Sequence, residues 1–251
     1  MADPSSGTAP SLSYRQVIAD RRVFGLLAGD LLATVGTGML IVAMPLQTLS
    51  IHGSVPKPIA IGVVETAPYV LAAVLALAIG LGRLRIPPRT ILIADSALRS
   101  SVFGVLGWLA VTGRLTLVVL IGGLLVGSIF RMAGSSSRRL LATAVAGERG
   151  RYAVNGLLGL NVTIALYIVG PVLGGVIVAI GSPGVALLCD VAGALLLLVA
   201  VLTSTDPGAR RPATTARRRS GESGWRILRR RPVAARLLVV EFFFNFFYMP
   251  V

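Results

Sequence analysis

The chain has 251 residues, of which 55% are hydrophobic and 14% charged, which is more apolar surface than one water-soluble core of this length can hide. A net charge of +14 would point to nucleic acid in a soluble protein, but here the arginines fall in short stretches between long apolar runs, so no nucleic-acid partner is expected. One cysteine, Cys189, and one histidine, His52, exclude an intrachain disulfide, a Cys/His zinc site and a CxxC redox pair, and no metal or cofactor is expected.

Residues 1–22 read as a cytoplasmic tail. Its first part, Met1 to Ser13, is small and polar, lacks the basic stretch of a signal peptide and is expected to be disordered. Six apolar runs follow: Val23 to Leu49, Ile59 to Gly82, Thr90 to Val111, Leu115 to Met132, Asn155 to Ile180 and Val185 to Leu202. Each is long enough for a helix to cross the ~30 Å of hydrocarbon in a bilayer. The expected fold is therefore an all-α polytopic membrane protein with a six-helix bundle over 23–203. Residues 204–236, rich in Arg, Pro, Thr and Gly, read as a basic cytoplasmic linker. Trp225 and Leu228 among its last arginines suit a short helix on an anionic lipid surface. Residues 237–251 read as the truncated start of a seventh span.

Orientation follows from the basic residues. With the amino terminus inside, cytoplasmic segments carry 21 of the 24 and the outer loops carry only Lys57 and Arg114. In this reading Arg131, Arg138, Arg139, Arg149 and Arg151 belong to the cytoplasmic link between the fourth and fifth runs.

Five of the ten acidic residues, Asp30, Glu65, Asp95, Asp190 and Glu241, lie inside apolar runs. A carboxylate in hydrocarbon costs at least ~2.5 kcal/mol, so such groups face a bundle interior or a wet cavity and are candidates for a substrate or ion pathway. Asp30, about two turns into the first run among Gly25, Gly29, Gly36 and Gly38, is the strongest candidate for a proton or cation site. Glu65 and Asp190, near the outer ends of their runs, read equally as solvated vestibule residues or proton carriers. Asp95 and Arg99 are four apart on one helix face and are expected to pair at the cytoplasmic face. Asn155, Asn161 and Asn245 supply uncharged polar atoms at membrane depth, either tying helices together or bonding a solute.

Gly170-Pro171-Val172-Leu173-Gly174-Gly175 in the fifth run combines a helix-bending proline with small residues that admit a neighbouring helix. This stretch is similar to the GPxxGG antiporter motif of the major facilitator superfamily (MFS), drug-efflux branch. Gly80-Leu81-Gly82-Arg83-Leu84-Arg85 leading to Arg89 resembles that family's loop between helices two and three. Asp95 and Arg99 stand where members carry an acidic and a basic residue in helix three. Leu115 to Phe130 holds no counterpart of the helix-four arginine of proton-linked members, Arg131 lying at the end of that run.

The resemblance implies an N-terminal MFS bundle, not an enzyme. It implies a plasma-membrane transporter that exports a small, amphipathic or drug-like molecule by alternating access, with a coupling proton. The lipid bilayer, the substrate and a C-terminal six-helix bundle beyond this chain are the implied partners. Asp30, Asn155 and Asn161 would then line the cavity. An uptake symporter of the same fold and a truncated, non-transporting membrane protein are the alternatives.

Overall fold

The computed structural model describes residues 12–81, 84, 86–204 and 232–248, and among them the only regular structure is helical. Helix α1, Tyr14–Ala19, is closed by a capping box in which the Ser13 hydroxyl accepts from the Gln16 amide and the Gln16 side chain accepts from the Ser13 amide. It buries Val17 against the bundle, so the tail is structured from Ser13 onward; residues 1–11 lie outside the described residues. Helix α2, Arg21–Ile51, starts on an Asp20 cap, the carboxylate accepting from the Arg22 amide at 2.9 Å. Helices α3, Lys57–Gly80, and α4, Pro88–Val111, each carry proline in the first turn, where its missing N–H costs nothing. Gly82, Arg83 and Arg85 of the link between them lie outside the described residues.

Helices α5, Leu117–Gly127, and α6, Arg131–Asn161, run into a π-helical stretch, Val162–Val169, and then α7, Gly170–Ile180; α8 spans Pro183–Ser204. Among the described residues five helical runs are long and apolar enough to cross a bilayer, and the longest of them, Leu117–Ile180, has 64 residues. Straight, it would extend roughly 95 Å at 1.5 Å per residue, three times the hydrocarbon thickness. It does not run straight. Gly147 adopts φ 71° and ψ −179°, a conformation closed to residues with a Cβ, and breaks α6 in two. Arg138 before the break and Asn161 after it both bond to the carboxylate of Asp30, although 23 residues of straight helix would separate them by ~34 Å. The chain therefore doubles back at Gly147.

This corrects the expected boundaries of the fourth and fifth spans. The fourth does not end at Met132, and residues 133–154 are not an irregular loop but helix on both sides of Gly147. The physical reason is that Ala133, Gly134, Ser137 and Ala142 form a small-residue face that packs inward, so the helix persists through a stretch that hydropathy alone reads as a break.

The bundle reverses the logic of a soluble protein. Large apolar side chains point outward, with Val118 79% and Ile180 83% exposed, whereas the Asp190 carboxylate is 0% exposed. Inside, α2 is the central helix, packed along α8 on one side and on the π-helical stretch and α7 on the other. Gly36 sets the first approach, because a Cβ there would lie 2.8 Å from the Asp190 Cα. Gly38 sets the second, meeting the Gly170 backbone, and Gly174 meets the backbone of Met39 in the same way. Two glycines of the GPxxGG stretch thus seat the fifth span on the first, while Gly175 faces open space. Pro171 has no N–H to give, and just ahead of it the Gly170 amide bonds to the Ala165 carbonyl, the wider i→i−5 spacing of a π turn.

Helix α9, Pro232–Tyr248, begins ahead of the expected start of the seventh span at 237. Residues 205–231, including the expected lipid-surface helix at Trp225 and Leu228, and residues 249–251 lie outside the described residues, as do the side chains of Glu241 and Asn245.

Candidate functional site

A cavity of about 720 Å³ opens between α2, α3, α4 and the two sides of the Gly147 break. Its charged lining is Asp30, Asp95, Arg99, Arg131, Arg138 and Arg139. Thr34, Thr37, Tyr69, Ser128, Ser135 and Ser136 add polar atoms, and Met132, Leu140, Leu158, Val162 and Leu166 add apolar surface. Mixed walls of this kind hold an amphipathic solute, apolar area supplying affinity and a few fixed polar groups supplying orientation.

Two charged clusters meet at this cavity. In the first, Arg138 donates from Nη1 to Asp30 Oδ1 at 3.0 Å. Asn161 donates from Nδ2 to Asp30 Oδ2 at 3.3 Å and to the Leu27 carbonyl at 3.1 Å. Asp30 thereby joins α2 to the helices before and after Gly147, with only 6% of its surface exposed, and it stands on the cavity wall.

In the second cluster, Arg99 on α4 holds Asp190 on α8 with two bonds, Nε to Oδ2 at 2.9 Å and Nη2 to Oδ1. Its Nη2 also donates to the Thr37 hydroxyl of α2 at 2.7 Å. The guanidinium lies 5.6 Å from the Phe103 ring. Parallel bonds from one planar fork to both carboxylate oxygens are the strongest ion-pair geometry available to a protein, and here they tie three helices together.

The expected Asp95–Arg99 pair is thus replaced by Arg99–Asp190. Residues four apart can meet on a helix, but a carboxylate on a facing helix offers both oxygens squarely to the fork, which an intrahelical partner cannot do. Asp190 is a sealed interior group and not a solvated vestibule residue. Asp95, 5% exposed, rests against α6, where a Cβ on Gly134 would come within 2.6 Å of its Oδ2. Glu65 is exposed on α3 away from the cavity lining. Asn155 is not in the lining either; its Oδ1 is buried and has no hydrogen-bond partner among the described residues. Asn161 reaches the site through Asp30.

Sequence reading missed Arg131 and Arg138. Arg131, Ser135 and Arg138 recur at i, i+4 and i+7, the spacing of one helix face, and that was the signal available. Assigning the arginines to a loop by charge alone concealed it. The Arg131 guanidinium lies 5.2 Å from the centre of the Tyr69 ring, which fixes it on the α3 side of the cavity.

A sequence model of the family described as the Major Facilitator Superfamily matches residues 26–251 of the chain. Comparison with curated proteins and with solved structures gave no match.

Proposed function

The chain belongs to the Major Facilitator Superfamily, and on that premise we propose that it is a secondary transporter of the drug-efflux type. It exports a small amphipathic molecule by alternating access in exchange for protons. A second six-helix bundle would close the far side of the cavity, and the two bundles would rock about it. The proposed setting is the plasma membrane with the amino terminus in the cytoplasm, supported by the bias of arginine to one set of loops.

The observation that carries this reading is Asp30. It is a carboxylate at membrane depth, on the wall of a cavity, held by Arg138 and Asn161 across the point where the chain reverses. Protonating Asp30 would release Arg138, and substrate or a helix movement could take up that released charge. The seat of Gly170 and Gly174 on α2, at Gly38 and Met39 about two turns from Asp30, supplies a smooth contact along which such a movement passes. Asn155 and Asp95 would act at a remove, through packing between helices.

The test is efflux from proteoliposomes carrying a pH gradient. Asp30→Asn is expected to abolish gradient-driven efflux while leaving exchange of substrate down its own gradient. Transport with an unchanged pH dependence in this variant overturns the coupling role.

A further inference from the structure

Resting on the transporter reading, we infer that the cavity takes organic anions, with Arg131 and Tyr69 as the place where the acidic group docks. Four arginines line the cavity, and two of them hold carboxylates: Arg99 binds Asp190 and Thr37, and Arg138 binds Asp30. Arg131 differs. Among the described residues no carboxylate lies within ion-pair distance of it, and its contact is the face of the Tyr69 ring.

A guanidinium held over a ring by a cation–π contact spends none of its N–H donors on it, and those donors match the two oxygens of a carboxylate, sulfonate or phosphate. The neighbouring carboxylates attract Arg131 only at longer range: Asp95 is packed against Gly134, Glu65 lies one turn before Tyr69 outside the cavity lining, and Asp30 is engaged by Arg138. With Asp190 neutralising Arg99 from behind and Arg139 also on the wall, the lining carries an excess of positive charge. Leu158, Val162 and Leu166 offer apolar surface for the rest of the molecule. An oxyanion with a flat apolar body therefore satisfies both halves of the cavity at once.

Three naphthalene probes of nearly equal shape separate the possibilities: naphthalene-2-sulfonate, the neutral naphthalene-2-sulfonamide and the cationic 2-naphthyltrimethylammonium. Equilibrium dialysis of each labelled probe against the detergent-purified natural protein is expected to show the sulfonate binding at least tenfold more tightly than the other two. Arg131→Gln should lower sulfonate affinity at least tenfold and leave the sulfonamide within twofold. Arg131→Lys should recover part of the loss, and Tyr69→Leu should cost a few-fold. If Arg131→Gln does not purify as a monodisperse species, the Lys and Leu variants carry the comparison.

Equal binding of the three probes, absence of sulfonate binding, or sulfonate affinity indifferent to these substitutions overturns the inference. Efflux of the same probes from vesicles is scored separately. Sulfonate binding that depends on Arg131 without sulfonate efflux overturns the exporter reading alone. Efflux of the ammonium probe that ignores Arg131→Gln overturns the anion inference alone.

Discussion

The two charged clusters of this bundle use the same chemistry, a guanidinium on a carboxylate, in opposite settings. Asp190 is sealed between α2, α4 and α8 behind Arg99, the carboxylate fully buried and both oxygens bonded. Asp30 and Arg138 form a single bond at the cavity wall, with Asn161 on the second oxygen. A fully buried carboxylate cannot give up its partner without leaving a bare charge in a low-dielectric interior, whereas a carboxylate on the wall has water or solute to replace what it gives up. The difference separates a fixed tie from a group available for exchange, though the two lie only two turns apart along α2, at Thr37 and Asp30.

The largest expected effect comes from breaking the sealed pair. Asp190→Ala strands the Arg99 charge and should cost about 3–5 kcal/mol, read as loss of the folded species or a steep fall in thermal midpoint in detergent. Replacing both partners by leucine should recover much of that loss. If the double variant is no better than the single, the cost lies in helix packing and not in the stranded charge.

A middle-sized effect is expected where glycine admits the pair. Gly36→Ala drives a methyl to 2.8 Å from the Asp190 Cα and should cost about 1–3 kcal/mol. Gly159→Ala, half a turn from Asn161 of the other cluster, meets nothing within 4 Å and should leave the thermal midpoint unchanged. Equal responses would erase the contrast between a tightly set cluster and a loosely set one.

The smallest effect is expected at the wall. Asn161→Ala removes one neutral donor from Asp30 and should cost about 0.5–1.5 kcal/mol in the same thermal assay. A loss as large as that of Asp190→Ala would make Asp30 a second structural tie and count against its role in coupling.

Much of this fold is written in the linear pattern. Length and hydropathy mark where α2, α3, α4 and α8 lie to within a few residues, because a bilayer demands about twenty apolar residues and a soluble loop does not. The GPxxGG stretch reads as a helix–helix contact, and Gly170 and Gly174 do meet the α2 backbone, since only small residues let two backbones approach so closely. The fourth span was less legible. Its second half carries Arg131, Ser135, Ser136, Arg138 and Arg139, which a hydropathy window scores as loop, yet those groups face a polar cavity and not lipid.

By itself the sequence determined the apolar solvent and the helical class, because both depend on composition along single helices. Only the tertiary structure decided who pairs with whom. It placed Asp190 and not Asp95 against Arg99, and it brought Arg138 and Asn161 to one carboxylate by reversing the chain at Gly147. Pairing across helices depends on which faces meet and in what register, and that is fixed by close approach at residues such as Gly36 and Gly38, not by spacing along any single element.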